Sequence, residues 1–400
     1  MITVNEAESA LKNIYLESIV NDLNTKTNPF LTMIQKNTKT IATKDAIVPI
    51  RYNNQNSVRA GAEDGPLPTN SDARTAEVIV PLKNLFGSFQ ITDKALKAAQ
   101  NSPGAFAALI GGEMNNLVAT AQANLNRMIY GNGFTPLGFT TAVHIQSRVF
   151  TVPSRFASNF SVGTVFQAWS TNNSRVHSGM LTVSAITTIG ANTMITHTGA
   201  ALTDARSERF YLYAETLDEH NMNGIDSIFR PEKLYNLRRN DHSAILPFQQ
   251  TNNLGDLLPL TEDNVLDFFT NFEERVEGRP TNIIMCHTHV EKALFNNLRA
   301  NRTNIDMAEM AGGFRAATFN GIPVYSDVRA RGGCLFALNS DSFAMHQLCD
   351  WSWLEGEDGS ILKPVSGQPL YSATLVKYAD LICERPFLQG KLNGFAARWR

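Results

Sequence analysis

Residues 102–133 read SPGAFAALIGGEMNNLVATAQANLNRMIYGNG, and the architecture turns on how this stretch folds. Its apolar positions Phe106, Ile110, Met114, Leu117, Ala121, Leu125 and Met128 advance by four, four, three, four, four and three. That is helical spacing, since one turn takes about 3.6 residues. Ser102 followed by Pro103 supplies an N-cap with proline at the first helical position, and Gly131-Asn132-Gly133 ends the run. The spacing predicts one helix from Pro103 to about Tyr130, a rod of ~42 Å at about 1.5 Å per residue. Asn115, Asn116, Gln122, Asn124 and Asn126 occupy the opposite face. Gly111-Gly112 weakens the rod near its start and marks a place for close packing or a bend.

Immediately upstream, Thr92 can cap a short helix running to Gln100. Before it lie two strand-like runs, Ile47-Val48-Pro49-Ile50-Arg51-Tyr52 and Val78-Ile79-Val80-Pro81-Leu82. Residues 53–75 between them are rich in Asn, Gly, Pro, Ser and charge, a loop too long to be ordinary within a compact domain. Each run carries a proline, which confines it to a sheet edge. Two such edges facing each other make a ribbon that is marginally stable alone and needs a surface to lie on. Little nearby in the sequence offers one, so a neighbouring subunit is the expected support. Residues 6–23 have the pattern of a short amphipathic helix, with Ala7, Leu11, Ile14, Tyr15 and Ile19 on one side. A polar segment follows to about Lys44, anchored only by Pro29-Phe30-Leu31, and reads as an arm without a core of its own.

Downstream, residues 140–224 lose helical periodicity. Short strands are expected near residues 148–152, 162–169, 180–189, 193–197 and 209–214, separated by Asn, Ser and Gly clusters. This pattern predicts an inserted β domain, a small barrel or sandwich. The remainder alternates helices and strands, giving an α+β chain. Thr261 caps a helix with Val265, Phe269, Phe272 and Val276 on its apolar side, and Glu262 and Asp263 favourably placed in its first turn. Residues 283–286 form a short buried strand followed by a helix, Asn320-Gly321 a tight hairpin turn, and residues 334–338 and 370–378 further strands.

With 400 residues there is room for two or three compact units, and 43% hydrophobic and 18% charged residues mark a folded chain. Lys and Arg total 35 against 37 Asp and Glu, a net charge of −2, which argues against a dedicated nucleic-acid binder. Local basic segments exist: Lys26, Lys36, Lys39, Lys44, Arg51 and Arg59 near the start, and Arg385, Lys391, Arg398 and Arg400 at the end. They are candidates for non-specific contact with nucleic acid, or simply solvated basic loops. Cys286, Cys334, Cys349 and Cys383 show no paired spacing and read as buried reduced thiols. The acidic start lacks signal-peptide character, and no apolar run reaches the ~20 residues needed to cross a bilayer.

Chemistry-bearing motifs are sparse. Cys286-His287-Thr288-His289-Val290-Glu291 could supply zinc ligands for a metal-dependent hydrolase, with His287, His289 and either Cys286 or Glu291. The preferred reading is a capping box, Thr288 with Glu291, at a strand-to-helix junction. Gly131-x-Gly133 follows a helix instead of preceding one, so it is no phosphate loop. Neither a GxSxG elbow nor a Walker loop is present. No catalytic residue, metal site or cofactor is expected.

The order of parts resembles the major capsid proteins of tailed bacteriophages, whose fold is named after phage Hong Kong 97. The stretches that carry the resemblance are residues 78–100 (VIVPLKNLFGSFQITDKALKAAQ), 125–139 (LNRMIYGNGFTPLGF), 234–248 (LYNLRRNDHSAILPF) and 319–340 (FNGIPVYSDVRARGGCLFALNS). The resemblance implies an N-terminal arm at 1–45 and an extended β-hairpin loop at 46–91 lying across an adjacent subunit. It also implies a spine helix and peripheral domain at 92–139, and an axial domain at 225–330. Residues 331–400 would supply the remaining axial segments and strands returning to the peripheral domain, with the β domain inserted at 140–224. It further implies pentamers and hexamers in a closed icosahedral shell around double-stranded DNA contacted non-specifically, a separate scaffolding protein and portal, and no membrane. The location would be the virion, with assembly in the host cytoplasm. Arg59, Glu63, Asp64, Asp72 and Arg74, at the ribbon tip, are the candidate intersubunit contacts. An encapsulin-like bacterial compartment shell is the alternative within the same fold.

Overall fold

The computed structural model describes residues 11–51, 75–99, 103–131, 137–144, 148–170, 179–190, 192–199, 210–214, 221–230, 233–239, 245–251, 260–301, 307–310, 314–330 and 333–394. Two compact units emerge, one within Met1–Tyr130 and Met222–Ala397, the other within Gly131–Asn221.

In the first unit, helix α1 (Leu16–Thr25) and the long helix α2 (Pro103–Ile129) pack on a five-stranded sheet. The helix α2 passes through Gly111-Gly112 unbroken. A side chain at Gly111 would meet only Tyr15 Oη at 3.7 Å, and one at Gly112 nothing, so packing does not demand either glycine. Ile110, Met114, Leu117, Leu125 and Met128 are buried as their spacing predicts, while Asn115, Asn116 and Asn124 face water. Asn126 departs from that polar face. It is buried, donates to Asp327 Oδ2 at 2.5 Å and accepts from Asn28 Nδ2 at 2.8 Å.

The sheet is built around β6 (Leu370–Cys383), whose 14 residues take different partners along their length. It pairs antiparallel with β4 (Lys83–Thr92) and with β5 (Phe343–Trp353). The short parallel strand β1 (Gln35–Asn37) adds to the far side of β5. Helix α2 lies close enough to β4 that a Cβ on Gly87 would sit 3.0 Å from Leu117 Cδ1. Thr92 caps the helix Asp93–Ala99 through the N–H of Ala95 at 3.1 Å, as the sequence suggested. Ser102 lies outside the described residues.

The ribbon forms with unbroken register from Asp45↔Pro81 to Arg51↔Thr75, joining β2 (Asp45–Arg51) to β3 (Thr75–Pro81). Its support differs from expectation. Ala46, Val48, Ile50, Ala76, Val78 and Val80 all point into the core of their own chain. Asn236 holds the edge of β3, accepting from the Ile79 N–H at 3.2 Å and donating to the Glu77 carbonyl at 3.4 Å. The described base of the ribbon therefore needs no neighbour. Sequence distance hid this surface, since Asn236 lies 157 residues beyond Ile79.

The N-terminal segment is also docked. Leu11, Ile19, Leu23 and Phe30 are buried, Phe30 meets Phe343 edge-on at 5.1 Å, and the Trp353 indole donates to the Leu11 carbonyl at 3.2 Å. It has too few apolar residues for a core of its own, so it borrows one.

A second, seven-stranded sheet runs in the order Phe248–Thr251, Gly390–Asn393, Cys334–Leu338, Ile283–His287, Ile322–Asp327, Phe314–Phe319, Met307–Met310. Helices α3 (Glu262–Val276) and α4 (Thr288–Asn301) accompany it. Thr261 caps α3 through the Asn264 N–H at 3.3 Å, and Glu277 ends it in the left-handed region at φ 56°. The Asn320-Gly321 turn has φ 51° and 79°, the positive values a two-residue turn requires. Phe248, Phe268, Phe269, Phe272 and Phe319 form an aromatic cluster over Gly390.

In the second unit the strand path closes on itself. Residues 138–144 begin beside Phe210–Ala214 and end beside Val149–Pro153, with Thr140 N–H bonded to Phe210 O at 2.8 Å and Thr141 N–H to Thr151 O at 2.7 Å. The intervening order through Val165–Ser170, Leu181–Ile189 and Asn192–Thr198 completes a small barrel. Phe150, Phe166, Phe210, Leu181, Ile195 and Leu212 fill it, together with the imidazole of His197. Of the two shapes the strand pattern allowed, the barrel is the one formed.

Candidate assembly surfaces

The five expected contact residues, Arg59, Glu63, Asp64, Asp72 and Arg74, all lie outside the described residues. What is described is the ribbon base and the sheet it joins. Its outward positions carry apolar side chains in water. Ile79 is exposed, and Phe86, on β4, is 61% exposed with its ring edge-on to Tyr378 at 6.4 Å. On β5 the register slips between Gln347 and Cys349, and the extra residue, Leu348, is pushed outward and exposed.

Beneath this surface a polar clasp ties the N-terminal segment to the sheet. Asp350 Oδ1 accepts from Lys377 Nζ at 2.9 Å, and Oδ2 from Lys36 Nζ at 2.6 Å and Asn24 Nδ2 at 3.2 Å. Lys377 Nζ stands 5.7 Å from the centre of the Trp351 ring. Burial opposes ionisation of Asp350, but the Lys377 ammonium and the hydrogen bonds from Lys36 and Lys377 outweigh it and bring its pKa to about 2. Burial pushes the Lys377 ammonium below its ordinary value, and Asp350 offsets part of that. No sequence signal pointed to this group, because Asn24 and Lys377 are 353 residues apart.

Two basic candidates for nucleic-acid contact are otherwise engaged. Lys391 is buried, paired with Asp226 and placed over the rings of Phe229 and Phe336, so it cannot face a ligand. Lys36 is in the clasp. Lys39, Lys44 and Arg385 remain exposed. Near the return from the barrel, buried Asp380 accepts from the backbone and side chain of Asn223, both at 2.7 Å, and from the Leu381 N–H at 2.9 Å. Burial raises its pKa to about 7 against these donors.

The Cys286–His287–His289–Glu291 group takes a different shape from either sequence reading. The Thr288 capping box is replaced: the His287 imidazole accepts from the His289 N–H at 3.1 Å, and Glu291 accepts from Ser326 Oγ. The two imidazoles stack at 5.1 Å, and Cys286 points into the core, where burial pushes its thiol well up. Among the described residues no three His, Cys, Asp or Glu side chains converge as metal ligands. Cys286, Cys334 and Cys383 are buried, whereas Cys349 is half-buried beside the Leu348 bulge.

No protein-family model matches the chain. No curated protein matches it either. Among solved structures, the Cyanophage A-1(L) capsid asymmetric unit is similar at TM-score 0.53 and 11% identity, over 92% of this chain and 92% of that one. The capsid of an empty GTA particle gives TM-score 0.46 at 11% identity, over 92% of this chain and 90% of that one. The holo-SrpI encapsulin complex from Synechococcus elongatus PCC 7942 gives 0.44 at 9% identity, over 93% and 90%. The cyanophage likeness spans nearly the whole of both chains. The chain has the Hong Kong 97-type fold of tailed-phage capsid subunits.

Proposed function

We propose that this chain is the major capsid protein of a tailed bacteriophage, a structural subunit that assembles into the icosahedral head shell around double-stranded DNA. The observation that carries this reading is the likeness to a phage capsid subunit over nearly the full length of both chains. The mechanism is repeated heterologous contact, in which a patch on one copy meets a different patch on the next, closing into pentamers and hexamers. Residues 46–91 act as the extended loop, whose tip, with Arg59, Glu63, Asp64, Asp72 and Arg74, reaches an adjacent copy. Residues 92–139 with the C-terminal strands form the peripheral domain, 225–330 the axial domain, and 140–224 the insertion. A separate scaffolding protein and a portal complete assembly in the host cytoplasm, and the exposed Lys39, Lys44 and Arg385 contact DNA without reading its sequence.

Negative-stain microscopy of the purified protein, with extraction of the contents, tests this. Closed shells that hold DNA when made in infected cells are expected. Shells filled with a protein cargo and no DNA would transfer the chain to a bacterial compartment, and failure to form shells even with its phage's scaffolding protein would refute the reading.

A further inference from the structure

Four Asn-Gly pairs occur in the chain, at Asn132-Gly133, Asn223-Gly224, Asn320-Gly321 and Asn393-Gly394. Each carries the components of a self-modification. The glycine amide nitrogen, once it loses its proton to water or hydroxide, can attack the asparagine side-chain carbonyl carbon, because glycine has no side chain to hinder the approach. A cyclic succinimide forms, and the side-chain nitrogen leaves as ammonia. Water then opens the ring at either carbonyl, giving aspartate or isoaspartate. The net change is asparagine plus water to acid plus ammonia, with no enzyme, oxidant or metal; asparagine is accordingly among the thermolabile residues. Since every Asn-Gly pair has this chemistry, the fold decides which one reacts.

Asn132-Gly133 lies outside the described residues. At Asn223 the backbone and side-chain amides both donate to Asp380, each at 2.7 Å, and Gly224 is buried, so carboxylate and core hold the pair. Asn393 sits in a strand paired on both sides, with Thr251 and with Cys334. The Gly394 N–H, which would have to lose its proton, donates to the Gly333 carbonyl at 3.2 Å. Asn320-Gly321 escapes both restraints. Both residues are exposed, and neither the Asn320 amide nor the Gly321 N–H is hydrogen-bonded among the described residues. A Cβ on Gly321 would meet nothing within 4 Å, so the turn peptide can rotate towards the side-chain carbon without displacing a neighbour. We propose that Asn320 is a site of spontaneous deamidation, selected by the fold from the chain's Asn-Gly pairs.

The product alters the turn. Asn320-Gly321 sets the pairing Phe319↔Ile322, Thr318↔Pro323 and Ala317↔Val324. Aspartate adds a negative charge at its tip. Isoaspartate also routes the main chain through the former side-chain methylene, so the turn lengthens and no longer fits that register. Phe319 and Val324 are buried, and the change therefore loosens this hairpin of the second sheet with time. None of this depends on the capsid reading.

The test incubates full-length protein at mildly alkaline pH, folded in buffer and, in parallel, unfolded in guanidinium. Conversion at each pair is followed by peptide mass spectrometry, with isoaspartyl methyltransferase labelling as the probe for isoaspartate. In the folded chain Asn320 should convert at least about tenfold faster than Asn223 or Asn393, since each of those must first give up hydrogen bonds. In guanidinium the three should convert at similar rates. Asn320→Gly keeps a residue that tolerates positive φ and removes the reactive amide, so it should lack the time-dependent rise in hydrogen exchange expected across residues 314–327. Asn223 or Asn393 converting as fast as Asn320 in the folded chain, or an Asn320 that reacts only in guanidinium, would overturn the proposal. The same loosening in Asn320→Gly would remove the effect on the hairpin.

Discussion

Replacing Asp350 by asparagine keeps the shape of the clasp and removes its charge. Lys377, with its side chain only 5% exposed, is then left with Asn24 Oδ1 at 3.5 Å, the Trp351 ring and a neutral amide. Breaking a buried ion pair from one side costs about 3–5 kcal/mol. Asp350 is 31% exposed, so water reaches this site and lowers the cost below that range, to about 2–3 kcal/mol. The reciprocal change is cheaper. Lys377→Met removes the buried charge itself and sets an apolar chain against Trp351, while Asp350 keeps Lys36 and Asn24; the expected cost is within about 1 kcal/mol. The order Asp350→Asn above Lys377→Met, measured as urea midpoints at pH 7, is the first readout. The second is hydrogen exchange, because Asn24 and Lys36 belong to the docked segment: Asp350→Asn should raise exchange across residues 16–37 ahead of the second sheet. The pH dependence follows in sign. The carboxylate titrates at about 2 when folded and about 3.9 when unfolded, so its contribution of at most about 2.6 kcal/mol is complete above about pH 4 to 5. It is lost as pH falls towards 2, and Asp350→Asn lacks that step. A Lys377→Met chain as unstable as Asp350→Asn, or unaltered exchange in residues 16–37, would refute the argument.

Charge reversal at Arg59 or Arg74 is expected to impair shell formation, read by sedimentation, while leaving the melting temperature of the unassembled chain within a degree or two of the parent; normal particles from both variants would remove these residues from the contact. In the barrel, burial holds the His197 imidazole below its ordinary pKa of about 6.5, with Arg148 adding to the effect. The unfolded chain therefore binds the extra proton, so barrel stability is complete above about pH 6.5 and falls as pH drops below it; His197→Leu should flatten that slope in pH-dependent urea melts. A Cβ added at Gly390 would lie 2.9 Å from Phe268 Cζ and 3.2 Å from the Phe272 ring. Gly390→Ala should thus lower stability by about 1–3 kcal/mol by overpacking, and calorimetry of the purified chain checks it.

Local features were legible wherever the cause was local. The four-and-three spacing from Phe106 to Met128, the caps at Thr92 and Thr261, and the Asn320-Gly321 turn each depend on residues within a few positions of one another. The His287 region was misread for a related reason. Thr288 and Glu291 have the right spacing for a capping box, but Ser326, brought alongside by the pairing of Ile283–His287 with Ile322–Asp327, takes Glu291, and the His287 ring does the capping instead. The candidate contact surface was legible in part. The ribbon and its prolines announced two strands; that its inner face would be filled by its own chain was not visible, because Asn236 at its edge and Leu234 of the core it joins lie far along the sequence.

By itself, the sequence determined the long spine helix, the two ribbon strands, the all-β character of the insertion and the order of parts that led to the capsid fold. These follow from periodicity and turn chemistry, which act over one or two turns of chain. Tertiary structure alone decided the rest: that residues 11–37 are docked on β5, that Lys391 is a buried partner of Asp226 instead of a basic surface residue, and that residues 138–144 close the barrel by pairing on both sides. Each joins groups separated by tens to hundreds of residues. Which of many chemically equivalent partners a buried charge or a strand edge takes is settled by the packing that brings them together, and no local pattern encodes that choice.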